Sequence, residues 1–345
     1  MSKLPRLSAA ISIAGITAGL MTTGLWLHAQ EPDQSTFHVK VELVVLGFTV
    51  TDQKGKYVNG LKPKDLKVFE DEIPQKVATF AEGDHAPLQV LENGETRPLH
   101  SANVAATGPG GIPNPDVVDL RSESAGTNVF VLFDTSNYMY RGFVYASDAI
   151  ADFIRGLDRA DSVAVYTYSR NLNRAVQLNR DRGLAISGLR KAVAGDDSAL
   201  YNCLLLTLRD AAKVPGRKVV IVFSNGPDNA SMVAPDDVRA VAEDEGIPIY
   251  VISTNEITKD PISSSIFKRI STNTGGKSYF AKTWQKQVEA FESIREDLGN
   301  SYTLTYYPQP NPNEGFRKIR VELTPDAMRK FKVRARPGYR PQRGF

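Results

Sequence analysis

The sequence predicts a doubly wound (Rossmann-like) α/β domain with a largely parallel sheet, inserted in a small β-sandwich formed by N- and C-terminal strands. Three observations predict it. Continuous apolar runs alternate with helix-patterned segments from residue 128 to 299, the signature of strands buried on both faces. Strand-like segments with strict alternation flank that block on both sides, with no helices between them. The chain of 345 residues, 41% hydrophobic and 23% charged, has ordinary globular composition and length for two or three structural units.

At the N-terminus, Met1 to Arg6 is short and basic, and Leu7 to Leu27 then carries no charge before Ala29, Gln30 and Glu31. Residues 1–30 have the layout of an export signal cleaved after Ala29, or of an uncleaved N-terminal anchor, since the apolar run is long enough to span a bilayer. Gly15, Gly19 and Gly24 make it a poor spanning helix, and no Cys ends the run to take a lipid. Both readings place the body outside the cytoplasm: in the periplasm, at the cell surface or secreted.

Residues 37–83 form an N-terminal β segment. Val39, Val41, Leu43 and Val45 alternate with Lys40 and Glu42, Asp52 to Lys56 is a turn signal, and Lys67 to Phe80 reads as strand, polar turn and strand. Residues 84–127 change character: Pro87, Pro98, Pro113, Pro115 and the Gly108 to Gly111 cluster mark a linker or irregular excursion.

The α/β block occupies residues 128–299. Val129 to Phe133 is a buried strand, and Ala146, Ala149, Ile150, Phe153, Ile154 and Leu157 recur at helical spacing. Strands at 163–168, 218–223, 247–253 and 278–281 alternate with helices near 184–194, 200–213, 236–245 and 262–270. A last helix carries Trp284, Val288, Phe291, Ile294 and Leu298. From 300 to 340 the pattern returns to alternation, with strands at 301–307, 317–323 and 331–336. These pair with the N-terminal strands, because neither half buries an apolar face alone. Lys332, Arg334 and Arg336 alternate with Val333 and Ala335 and read as a solvated strand face.

Composition excludes several functions. Formal charge is only +3, from 42 basic and 39 acidic residues, too balanced for electrostatic capture of nucleic acid. The single cysteine, Cys203, rules out a disulfide framework and a cysteine zinc cage, and on the apolar side of its helix it is a buried structural thiol. All four histidines precede residue 101, so the α/β block has no imidazole for nucleophilic catalysis. The chain is read as a non-enzyme; a hydrolase would need His38, His85 or His100 folded against the block. Gly275-Gly276-Lys277-Ser278 lacks the first glycine of a phosphate loop and precedes a strand. Asn229-Ala-Ser231 is a formal glycosylation acceptor.

In open α/β sheets ligands gather at the carboxyl ends of the strands. Three oxygen-rich loops fall there: Asp134 to Met139, Gly195 to Tyr201 and Ser224 to Asn229. Carboxylates and hydroxyls in such loops suit a hard cation such as Mg²⁺, which takes about six oxygens.

These loops resemble the von Willebrand factor A-type domain, and the whole outline resembles the secreted A-type-domain proteins of Acidobacteria, which end in an Arg-x-Gly-Tyr-like strand; Arg336-Pro-Gly-Tyr339 fits. The family's metal-ion-dependent adhesion site uses Asp-x-Ser-x-Ser, a distant Thr and an Asp after a later strand. Carried over, Asp134 and Ser136 match the first two positions, Tyr138 replaces the second Ser, Ser198 takes the Thr position and Asn225 replaces the Asp. The resemblance implies a degenerate metal site of Asp134, Ser136, Ser198 and Asn225, holding Mg²⁺ or Mn²⁺ or nothing, with Tyr138, Asp197 and Asp228 on the ligand face. It implies an exported protein-binding or adhesion module. The alternative is a structural component of an envelope complex acting through the sandwich. The partner is then a protein ligand or an envelope-complex component and not nucleic acid, and a membrane is met only through an uncleaved N-terminal segment.

Overall fold

The computed structural model describes residues 43–98, 126–158, 161–324 and 330–341. Residues 1–30, read from the sequence as an export signal or anchor, His38, His100 and most of the 84–127 stretch lie outside the described residues. Among the described residues no helix is long and apolar enough to cross a membrane.

The chain begins with β1 (Val44–Thr51), β2 (Leu66–Glu70), β3 (Ile73–Gln75) and β4 (Val77–Glu82), then β5 (Leu88–Val90) and β6 (Thr96–Pro98). The α/β block runs β7 (Asn128–Asp134), α1 (Phe143–Arg155), β8 (Ser162–Tyr168), β9 (Leu172–Asn179), α2 (Arg182–Arg190), α3 (Leu200–Ala212) and β10 (Lys218–Ser224). It continues through α4 (Pro235–Asp244), β11 (Ile249–Ser253), α5 (Pro261–Thr274), β12 (Ser278–Phe280) and α6 (Trp284–Gly299). β13 (Tyr302–Tyr306), β14 (Arg317–Leu323), β15 (Lys332–Ala335) and β16 (Gly338–Tyr339) close it.

The central sheet has the order β12-β11-β10-β7-β8-β9, parallel except for β9. Its middle strand shows why an unbroken apolar run is needed. Val129, Val131 and Phe133 enter one core with α1, α2 and α6, while Phe130 and Leu132 enter the other with α3 and α5. Side-chain caps fix three helix starts: Asp181 for α2, Asp260 for α5 and Thr283 for α6.

The flanking strands form two sheets, β15-β1-β13-β4-β5-β6 and β16-β14-β2-β3, which share one core of Val44, Leu46, Phe48, Leu66, Val68, Tyr302, Leu304, Tyr306 and Ile319. β13 lies between β1 and β4, and β14 pairs β2, so strands from both ends of the chain interleave. Two sequence expectations need correction. Residues 88–98, read as part of an irregular stretch, hold the β5–β6 hairpin, whose strands of three residues are too short to show a period. β9 went unread because its exposed side is Asn173 and Gln177 with Arg174, and only Val176 is fully buried.

The C-terminal arginines are not a solvated face. Arg334 binds Asp297 of α6 at 2.7 Å, and Arg336, 6% exposed, donates to the Glu243 carbonyl of α4 and to the Val45 carbonyl at 3.1 Å. Alternation showed which side chains share a face; it could not show that the α/β block covers that face. Asp297 is fully buried and also accepts from Tyr57 and from Lys277 at 2.8 Å. Arg217, at the start of β10, donates to the Gly83 carbonyl and to Ser301. The amino end of the parallel sheet is thereby joined to the sandwich, while among the described residues its carboxyl end is left uncovered by it.

The terminal motif has a physical reading. Tyr339 donates to Glu70 at 2.9 Å, beside Tyr306 at 3.0 Å and Arg317 at 3.0 Å, so one buried carboxylate ties β2, β13, β14 and β16 together. A methyl group at Gly338 would collide with the Arg317 carbonyl. The Gly275-Gly276 pair is likewise structural: Gly275 ends α5 with φ 86°, and a side chain at 276 would strike the Ile249 carbonyl.

Two outcomes follow. Gly338→Ala will lower stability by roughly 1–3 kcal/mol, read as a lower urea midpoint at unchanged slope. Asp161, buried before β8, accepts the Thr127 N–H at 2.7 Å, and burial pushes its carboxyl up to about 6. The folded chain therefore holds this proton more tightly than the unfolded chain between about pH 4 and 6. Stability from this group falls as pH rises through that window. Asp161→Asn keeps the acceptor and removes the charge. It will raise the melting temperature at pH 7.5, by up to roughly 2–3 kcal/mol in stability, with little effect at pH 4.

Candidate functional site

The open end of the sheet is built on the last residues of β7, β8 and β10. Asp134 ends a strand buried on both faces, so its carboxylate has no contact with water. Oδ1 accepts the backbone N–H of Ser136 at 2.9 Å, which turns the chain, and Oδ2 accepts the Ser224 hydroxyl at 2.7 Å. Ser224 Oγ in turn accepts the Tyr168 hydroxyl at 3.1 Å and the Gly226 N–H at 3.0 Å. A chain of hydroxyls thus crosses three neighbouring strands, Tyr168 to Ser224 to Asp134. Burial pushes the Asp134 carboxyl above its usual range, opposed by these hydrogen bonds. Burial and the nearby Asp134 push the Tyr168 phenol well up, so it remains a donor.

The loops are knitted together by backbone bonds. Asn137 N–H reaches the Asp196 carbonyl at 3.0 Å, Gly195 N–H the Thr135 carbonyl at 2.8 Å, and Thr254 N–H the Ser224 carbonyl at 3.0 Å. Ser198 is fully buried beside Tyr168. Its N–H donates to Asn229 Oδ1 at 2.8 Å, and its carbonyl accepts the N–H groups of Asn229 and Ala230. The hydroxyls of Ser136 and Ser198 are buried and find no hydrogen-bond partner.

The other expected residues are engaged elsewhere. Asn225 Nδ2 donates to the Tyr138 carbonyl at 2.7 Å, and its Oδ1 accepts from Thr254 at 3.3 Å. Tyr138 is 38% exposed, and the hydrogen bonds to Asp134 come from Ser136 and Ser224 instead. Asp197 pairs with Arg170 at 3.2 Å and accepts from Asn229 at 3.1 Å. Asp228 accepts the Tyr201 N–H of the first turn of α3 at 3.1 Å and the Ser231 hydroxyl at 2.6 Å. It supplies from a distance the cap that Ala199 cannot. The Asn229 amide holds Ser198 and Asp197 together, so the apparent glycosylation acceptor is a loop clamp. Cys203 is buried, its thiol pushed up to about 12, and inert.

As they stand, these donors do not fit a hydrated divalent cation. Two buried hydroxyls, Ser136 beside Asp134 and Ser198 beside Tyr168, are what such an ion would use. Yet both Asp134 oxygens are already engaged by Ser136 and Ser224, the carboxylate expected at 225 is an amide turned to Tyr138, and Asp197 and Asp228 serve other groups. Stripping water from Mg²⁺ takes more charge than that. Among the described residues no three His, Cys, Asp and Glu side chains gather as a metal would require.

Around this floor the surface is apolar. Tyr140, Val144 and Tyr145, after β7, are 75%, 68% and 63% exposed; Met232, after β10, and Ile257 and Ile262, after β11, are exposed at the same end. Sequence reading missed Tyr168 and Ser224 as site residues. The available signal was a tyrosine closing a buried strand, whose hydroxyl must find a partner.

A family model described as von Willebrand factor type A domain matches residues 128–294. A UPF0353 protein of Mycolicibacterium vanbaalenii is 21% identical over 291 residues, covering 74% of this chain and 82% of its own. Among solved structures, BatB from Bacteroides thetaiotaomicron is 16% identical, with 50% of this chain and 97% of that one covered at a TM-score of 0.43. The vWF domain of the type V pili tip protein Mfa5 from Porphyromonas gingivalis is 9% identical, with coverages of 55% and 98% and a TM-score of 0.43.

Ser224→Ala removes the donor to Asp134 and the acceptor of both the Tyr168 hydroxyl and the Gly226 N–H, so three buried groups lose a partner. It will cost roughly 2–4 kcal/mol in chemical denaturation, whereas Tyr168→Phe, which strands no charge, will cost about 1 kcal/mol.

Proposed function

We propose, from the premise that residues 128–294 are a von Willebrand factor type A domain, that this chain is a protein-binding module working through the carboxyl end of its parallel sheet. The observation that carries this is the exposed apolar rim of Tyr140, Val144 and Tyr145 at the carboxyl end of the sheet. Soluble domains do not expose aromatic groups together without an occupant for them, and tyrosines are strong anchors at interfaces. The opposite end of the sheet is covered by the sandwich, which leaves this end as the accessible one.

Among the described residues the site contains no imidazole and no activated nucleophile: Cys203 is buried, and His85 Nδ1 donates locally to the Glu82 carbonyl, 2.8 Å away. Binding without chemistry is therefore the reading we adopt. The uncharged run from Leu7 to Leu27 supports export to the periplasm, the cell surface or the medium. Within this reading the adhesion site is degenerate, and Tyr138 offers an aromatic contact where the family has a serine.

A second reading, an envelope assembly component acting through the sandwich, is separated by site-specific photo-crosslinking in the intact cell. A photoreactive residue at Tyr140 will capture a discrete protein, and one at the exposed Lys64 of the sandwich will not. Capture from Lys64 alone would transfer the function to the sandwich.

A further inference from the structure

We propose that the Tyr168–Ser224 hydroxyl chain takes the place of the cation in this domain, and that Asn225 and Tyr138 hold an otherwise retained oxygen cage in a latent, metal-free state. The inference rests on the ligand face proposed above, but its readout is metal binding and not partner binding, so the two can fail separately.

The buried Asp134 carboxylate needs compensation in any A-type fold. Here it has two donors, the Ser136 N–H at 2.9 Å and the Ser224 hydroxyl at 2.7 Å, and Tyr168 orients the second by donating to Ser224. Neutral donors thus do what a positive ion would do. Ser136 and Ser198 carry the mark of the arrangement that was given up. Both hydroxyls are sealed from water without a well-formed hydrogen bond, Ser136 lying beside Asp134 and Ser198 beside Tyr168, a state that costs free energy and that a bound ion would relieve.

Asn225 and Tyr138 act as a pair. The Asn225 amide donates to the Tyr138 carbonyl at 2.7 Å. An aspartate has no N–H to donate there, and its charge would be repelled by that carbonyl oxygen. Restoring the carboxylate would release this contact, and a serine at 138 would return a hydroxyl to the cage.

The test is thermal melting of the full chain in EDTA, in 10 mM MgCl₂ and in 10 mM MnCl₂. The unaltered protein will melt at the same temperature in all three. Tyr138→Ser with Asn225→Asp will gain about 5–10 °C with either ion, as expected for a site near 0.1 mM, and adding Asp134→Asn will abolish the gain. A metal-dependent rise in the unaltered protein that Asp134→Asn removes overturns the proposal, because the cation is then resident. A double variant with native circular dichroism and no rise also overturns it, because Asn225 and Tyr138 are then not what closes the cage. Should the double variant not fold, Asn225→Asp alone stands in, with a rise in the same direction expected and its absence equally decisive.

Discussion

A carboxylate that cannot reach water must find cations or hydrogen-bond donors inside the fold, and the burial of Asp297 organises this molecule. It sits on α6, near the return from the α/β block to the sandwich, and gathers Tyr57, Lys277 and Arg334 from three separate parts of the chain. Glu70 does the same within the sandwich for Tyr306, Tyr339 and Arg317. Because these partners come from both ends of the sequence, neither the sandwich nor the junction is complete until the chain has gone out through the α/β block and returned. The amino end of the parallel sheet is fixed by that junction.

The free end has the opposite economy. Its charge is solitary and compensated by neutral groups, with Asp134 at the end of a hydroxyl chain and the other acids of the loops serving as clamps. Asp228 stabilises the start of α3, and Asp197 pairs with Arg170. What faces solvent is a rim of tyrosines and aliphatic groups. Asp134 is thus part of a buried hydrogen-bonded knot at this end of the sheet.

Much of this was legible before any coordinates. The buried strands announce themselves as unbroken apolar runs because β7 feeds two cores, and the flanking strands by alternation because each has one core face. Asp134 stands out because a carboxylate directly after such a run has an obvious position in an open sheet. Reading was weakest where pattern is short or shared. β5 and β6 are three residues long, β9 is an edge with little burial, and Arg334 and Arg336 alternate as a solvated face would. Ser224 and Tyr168 escaped as site residues because a strand-ending hydroxyl shows no partner in one dimension.

By itself the sequence determined the class of fold, the interleaving of its two ends and the exclusion of imidazole or thiol chemistry from the α/β block. All of these depend on periodicity and composition, which are properties of one chain segment at a time. Only the tertiary structure decided which charges are buried, which acids are clamps, and that the Ser136 and Ser198 hydroxyls are buried without a well-formed hydrogen bond, beside Asp134 and Tyr168 respectively. Those depend on groups far apart in sequence meeting across strands and loops, and a hydrogen bond between Tyr168 and Ser224 exists only once β8 and β10 flank the same strand.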